Sequence, residues 1–176
     1  MLSHMNAAVL GTGVKGKIGM FLSTVTNSLD AKGRVSVPAD FRATISETPS
    51  KSAFDGIVVW PSLDGAYLEG GGISLLEDFQ NSLDEREHYD AERSALQYKI
   101  FAASRQLAFD GGGRVSLPKD LHEYAGLNGK VTFVGLGRRF EIWSPKALED
   151  RQEGLLALAR ESRHLLKTVK PSGASS

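Results

Sequence analysis

The chain has 176 residues, 41% of them hydrophobic, enough to bury a core in about one domain, so a soluble globular protein is expected. It has no cysteine, which excludes disulfides, thiol nucleophiles and thiolate metal sites and fits a reducing compartment. The formal net charge of zero hides segregation: residues 1–46 carry five basic and two acidic side chains, residues 47–109 carry five basic and eleven acidic, and the remainder is mildly basic, so a basic face and a nucleic-acid partner stay open.

Residues 1–19 read as a glycine-rich extension. Met20 to Asn27 is rich in β-branched residues and predicts a strand, followed by a turn at Asp30-Ala-Lys-Gly33. Arg34 to Val37 alternates, with Val35 and Val37 on one face and Arg34 and Ser36 on the other. Pro38 to Ile45 predicts a short helix, with Phe41 and Ile45 on one side. Asp55 to Trp60 and Ala66 to Glu69 predict two more strands. In the acidic middle, Leu75, Leu76, Phe79 and Leu83 mark one amphipathic helix, and Leu96, Ile100 and Phe101 mark another.

The second half runs as strand Gln106 to Phe109, turn Asp110 to Gly113, strand Arg114 to Leu117 and helix Pro118 to Ala125, with Gly126 as its stop. Lys130 to Val134 and Arg139 to Trp143 predict the closing strands. Ser144-Pro145 has the form of a helix start, and Leu148, Leu155, Leu156, Ala159 and Leu166 predict an apolar stripe on a C-terminal helix over 144–170, for core or subunit contact. Residues 171–176 read as a frayed tail.

The two halves repeat. Leu29-Asp-Ala-Lys-Gly-Arg-Val-Ser-Val-Pro-Ala-Asp-Phe-Arg42 returns eighty positions later as Phe109-Asp-Gly-Gly-Gly-Arg-Val-Ser-Leu-Pro-Lys-Asp-Leu-His122. This predicts an α+β fold of two copies of one unit, over 20–73 and 105–143, joined in one barrel, with residues 74–104 as a helical insertion.

The unit Asp-x-x-Gly-Arg-Val-Ser-Val/Leu-Pro, present twice in one short chain, resembles the MraZ family, which belongs with the AbrB-like (SpoVT-AbrB) DNA-binding proteins. The resemblance covers about Met20 to Leu166. It implies interlocked swapped hairpins forming one pseudo-symmetric β-barrel. It further implies a bacterial, cytoplasmic and nucleoid-associated transcriptional regulator. Such a regulator would assemble as a ring of identical subunits on short direct repeats upstream of the division and cell-wall gene cluster, its own gene included.

The residues themselves favour the first turn as a contact for double-stranded DNA, because Lys32 and Arg34 flank Gly33 on an exposed hairpin and Arg42 follows on the helix. A two-stranded β-ribbon fits the major groove, where an arginine can bond guanine O6 and N7 together and a lysine serves phosphates as a point charge. Arg34 is therefore expected to read bases or phosphates, Lys32 and Arg42 to hold phosphates, and Asp30 to orient Arg34 or brace the turn. The second copy keeps Asp110, Gly113 and Arg114 but has Gly111 and Gly112 where the first has Ala31 and Lys32, and His122 where it has Arg42. DNA contact by that copy is correspondingly less supported than by the first. A purely structural role, with Asp30–Arg34 and Asp110–Arg114 bracing two turns, is the alternative, worth about 0–1 kcal/mol per exposed pair.

Other chemistry finds little support. Gly11-Thr-Gly-Val-Lys-Gly16 matches the spacing of a dinucleotide fingerprint, but strand-like residues follow it where a long helix is needed. Gly111 to Gly113 lacks the Gly-Lys-Ser/Thr of a phosphate cradle, and the four histidines are scattered outside any metal-ligand spacing. No serine, histidine and aspartate set points to an enzyme, and no cofactor, small-molecule substrate or membrane span is expected. The competing function is a protein-interaction module, antitoxin-like or scaffold, on the same barrel.

Overall fold

The computed structural model describes residues 19–86 and 90–167, so the Gly11–Gly16 motif and the expected tail lie outside the described residues. Among the described residues, eight strands and the helices between them follow the order of the repeat. The first half holds β1 (Thr24–Ser28), β2 (Arg34–Ser36), α1 (Ala39–Glu47), β3 (Gly56–Pro61) and β4 (Leu68–Gly71). The insertion holds α2 (Ile73–Asp84) and α3 (Ala91–Leu96), which continues as a π-helical turn over Gln97–Phe101. The second half holds β5 (Arg105–Ala108), β6 (Arg114–Ser116), α4 (Lys119–Tyr124), β7 (Lys130–Gly135) and β8 (Phe140–Trp143), followed by α5 (Pro145–Gln152) and α6 (Leu155–Glu161).

Six strands form one antiparallel sheet in the order β1-β7-β8-β4-β3-β5, and β2 pairs with β6 in a separate two-stranded ribbon. The expected closed barrel is not present. Among the described residues β1 and β5 end the sheet without a second ladder partner; beside β1, Leu29 forms an isolated bridge to Val35 of β2, and Asn27 Nδ2 donates to Ser36 O at 2.7 Å. The ribbon instead covers the open side: Val35, Val37, Val115 and Leu117 from it share one core with Ile57, Val59, Phe133 and Phe140 from the sheet and Phe41 and Leu121 from the two short helices. Phe21, Phe41 and Phe140 meet there with ring centroids 5.1–5.4 Å apart, Phe21 edge-on to both partners.

β3 is apolar on both sides because both sides are covered. Ile57 and Val59 face the main core, while Val58 and Trp60 pack with Leu75, Phe79 and Ile100 from α2 and the π-helical turn. The acidic insertion is thus held to the body by its apolar stripe.

Three local expectations shift. The first strand begins at Thr24 rather than Met20, because Ser23 takes a φ of 76° and turns the chain so that Phe21 enters the core, bridged to Gly137. Pro38 and Pro118 stand at the caps of α1 and α4 rather than inside them. The C-terminal helix is two helices, since Gly154 at φ 81° breaks it between α5 and α6. Leu148 is buried with Tyr67 and Trp143, but Leu155, Leu156, Leu158, Leu165 and Leu166 are exposed, so the apolar stripe beyond Leu148 does not serve the core.

Candidate nucleic-acid interface

The repeated segment builds the same turn twice. In the first, Asp30 Oδ1 accepts hydrogen bonds from the amides of Lys32 and Arg34 at 2.9 Å each, and the backbone closes through Gly33 N–H to Asp30 O at 3.0 Å. In the second, Asp110 Oδ1 accepts from Gly112 and Arg114 at 2.8 and 2.9 Å, with Gly113 N–H to Asp110 O at 3.0 Å. Gly33 and Gly113 have φ values of 78° and 74°, the left-handed conformation that disfavours any residue with a Cβ.

Each aspartate also aims its arginine. Asp30 Oδ2 accepts from Arg34 Nε at 2.7 Å and Asp110 Oδ2 from Arg114 Nε at 2.9 Å. These bonds use Nε and leave the Nη donors of each guanidinium without a hydrogen-bond partner among the described residues. Both aspartates are held below their ordinary carboxylate value. The Arg34 amide is the largest cause for Asp30, with the Arg34 side chain and Lys32 amide adding to it; the Arg114 amide leads for Asp110, then the Gly112 amide and Arg114 side chain; desolvation opposes both.

Pairing of β2 with β6 brings the two copies together. Arg34 lies opposite Ser116, Val35 opposite Val115, and Ser36 opposite Arg114. Both valines are buried, so the other face of the ribbon carries two arginines and two serines in a cross-strand square, with both serines exposed. Side-chain exposures of 37% for Arg34 and 43% for Arg114 leave both arginines open to a partner. Lys32 is exposed at the tip of the first turn.

Arg42 does not join Lys32 and Arg34. It lies against the second turn, where its guanidinium occupies the space a Cβ on Gly113 would need, and its counterpart His122 lies beside Gly33 in the first turn. Each helix therefore serves the turn of the other half. Composition and alternation pointed to Arg34, Lys32 and Arg114 and turned Ser36 outward; the role of Ser116 in the same face and the exchange of Arg42 and His122 follow from the β2–β6 pairing, which no local pattern carries.

The chain matches a family model described as "MraZ protein, putative antitoxin-like" over residues 20–62 and 100–166. It is 41% identical over 153 residues to proteins of Rickettsia bellii, strains OSU 85-389 and RML369-C, covering 86% of this chain and 99% of each relative. It is 38% identical over 152 residues to a protein of Rickettsia akari (strain Hartford), covering 86% and 99%. All three relatives bear the name Transcriptional regulator MraZ, a regulator's name rather than an enzyme's. The unmatched stretch between residues 62 and 100 contains α2 and α3, while both turns and both arginines lie within the matched parts. On this identity and coverage, the chain belongs to the MraZ family.

Proposed function

We propose that this protein is a DNA-binding transcriptional regulator that reads duplex DNA with the outer face of the β2–β6 ribbon. The observation that carries the reading is the cross-strand square of Arg34, Ser36, Arg114 and Ser116 on an exposed antiparallel ribbon, with each arginine aimed by its own aspartate. A two-stranded ribbon is narrow enough for the major groove, and guanidinium groups held at Nε present two parallel donors to guanine O6 and N7. Serine hydroxyls accept or donate to either base or phosphate, and Lys32 at the tip neutralises a phosphate. The names of the relatives agree with this assignment.

In this reading the two halves are interlocked AbrB-like swapped-hairpin units, supported by the exchange of partners in which β1 pairs with β7 and β5 with β3. One protomer offers few phosphate contacts and binds weakly. A ring of identical subunits presents several ribbons to direct repeats, which raises the effective concentration of each further contact. The exposed leucines of α6 and the segment after it are the surface that supports self-association. The regulator then occupies repeats upstream of the division and cell-wall gene cluster, its own gene included, and represses by occupancy in the cytoplasm on nucleoid DNA. No helix among the described residues is long and apolar enough to cross a membrane.

The test is a mobility-shift titration on the DNA immediately upstream of the protein's own gene, with repeat number and salt varied. Several repeats should bind much more tightly than one, and Arg34→Ala should lose the complex while the particle keeps its size in solution. Unchanged binding by Arg34→Ala would exclude the ribbon as the reader. The same exposed leucines favour a second reading, a protein-interaction module; that reading gains if the purified protein ignores its own upstream DNA.

A further inference from the structure

The second turn has lost the lysine of the first, since Gly112 stands where Lys32 does, yet the position is not left without a cation. Arg42, reaching from α1 of the first half, lays its guanidinium across Gly113, and its enclosed Nε has no hydrogen-bond acceptor among the described residues. The carboxylate of that turn, Asp110, is already engaged by Arg114 Nε and two amides. Arg42 thus brings a positive charge that its own turn does not consume. Gly111 and Gly112 are exposed, and a Cβ on Gly111 would meet nothing within 4 Å, so a ligand can approach the backbone there closely. The first turn shows the converse arrangement: it keeps Lys32 at its tip and has His122 rather than an arginine beside Gly33.

We propose that the second turn is an anion site in its own right, in which Arg42 holds a backbone phosphate of the same duplex that the ribbon reads, beside the base-facing Arg114. The inference rests on the DNA-binding reading above. Four residue-to-residue steps of strand lead from position 33 to position 37, and residue 37 bonds to Gly113, so the two turn glycines lie about 13 Å apart along the ribbon. The ribbon is therefore gripped at both ends, by Lys32 with Arg34 at one and by Arg42 with Arg114 at the other. The loss of lysine at position 112 and the gain of arginine at position 42 offset each other across the two halves.

The experiment measures the salt dependence of binding to a duplex of several repeats, where each phosphate neutralised contributes a slope of about −0.9 in log K against log salt. Arg42→Gln is expected to flatten the slope by about that amount per engaged subunit and to weaken binding about tenfold, and Lys32→Gln is expected to do the same at the first turn. Arg42→Lys should keep the slope. Gly112→Lys, which places in the second turn the side chain that position 32 carries in the first, should steepen the slope in the otherwise unchanged protein and restore it in Arg42→Gln. That gain does not depend on Arg42 being dispensable for folding, which thermal melting checks in parallel. Wild-type slope and affinity in Arg42→Gln alongside a loss in Lys32→Gln would overturn the second site and leave the DNA reading standing. No response to Gly112→Lys in either background would overturn it equally. Should Arg34→Ala, Lys32→Gln and Arg42→Gln all bind as wild type, the DNA reading itself fails and the second site with it.

Discussion

Glu69 and Glu141 stand directly opposite one another on β4 and β8, and Arg139 is the cation that lets them do so. Arg139 Nη1 lies 3.0 Å from Glu141 Oε1 and 3.9 Å from Glu69 Oε2, while Trp143 Nε1 donates to Glu141 at 2.7 Å and Ser62 Oγ to Glu69 at 2.9 Å. With side-chain exposures of only 17% and 12%, the two carboxylates are poorly placed to be relieved by water. Arg139→Ala should therefore destabilise the protein by about 2–3 kcal/mol in urea unfolding, and Glu69→Gln added to it should recover part of that loss. Equal stability of the single and double variants would show that the carboxylates do not repel in the fold.

The two turn glycines should fail for different reasons. Gly113→Ala introduces a methyl where the Arg42 guanidinium sits, and Gly33→Ala introduces one 2.8 Å from the Leu117 carbonyl; each also strains a left-handed φ. Both should cost on the order of 1–3 kcal/mol by thermal or urea unfolding. Removing the obstruction with Arg42→Ala should lessen the effect of Gly113→Ala and leave that of Gly33→Ala unchanged. Equal rescue of both would place Arg42 elsewhere.

Acid should loosen both turns together. Asp30 and Asp110 are held below 3.8 in the folded chain, so their contribution to stability is present above that value and is lost as pH falls through the lower folded value. The contribution of these two groups to stability and DNA affinity should then be full and constant between about pH 5 and 8 and should fall in parallel below about pH 4. Asp30→Asn with Asp110→Asn should abolish that part of the acid dependence, read from urea midpoints as a function of pH. An unchanged acid limb would assign it to other carboxylates.

The leucines that face solvent on α6 give a prediction about particle size. Leu156→Glu with Leu158→Glu should lower the mass measured by light scattering and, with it, the advantage of several DNA repeats over one, because neither side chain contributes to the core of the protomer. An unchanged mass would leave the assembly to another surface.

Much of this architecture is written in short-range patterns. The alternation of Arg34 to Val37 and of Arg114 to Leu117, the apolar spacing of Leu75, Phe79 and Leu83, the stop at Gly126 and the start at Ser144-Pro145 each match a strand, helix or boundary within a few residues. The aspartate that both braces its turn and aims its arginine was legible as well, because the same four-residue spacing occurs twice. What stayed hidden depends on who pairs with whom. The repeat alone does not say that β2 meets β6 or that the six-stranded sheet ends at β1 and β5, so a closed barrel was the expectation. The left-handed Ser23 and the break at Gly154 are single-residue conformations inside segments whose composition reads as continuous strand and helix. Arg42, next to Phe41 in the chain, looked like a companion of Lys32, and only the packing of α1 against the second turn moves it to the other end of the ribbon.

Because β1 finds its ladder on β7 and β5 finds its ladder on β3, each half lends its opening strand to the other, with pairs such as Thr24 and Val134 more than a hundred positions apart. Without the other half, β1 has no ladder partner, so a fragment ending near residue 73 is expected to stay unstructured until the remaining piece is supplied, and in the intact chain β1 can pair only once β7 has been made. Severed fragments that reassociate into a native particle are the expected behaviour of such a shared framework.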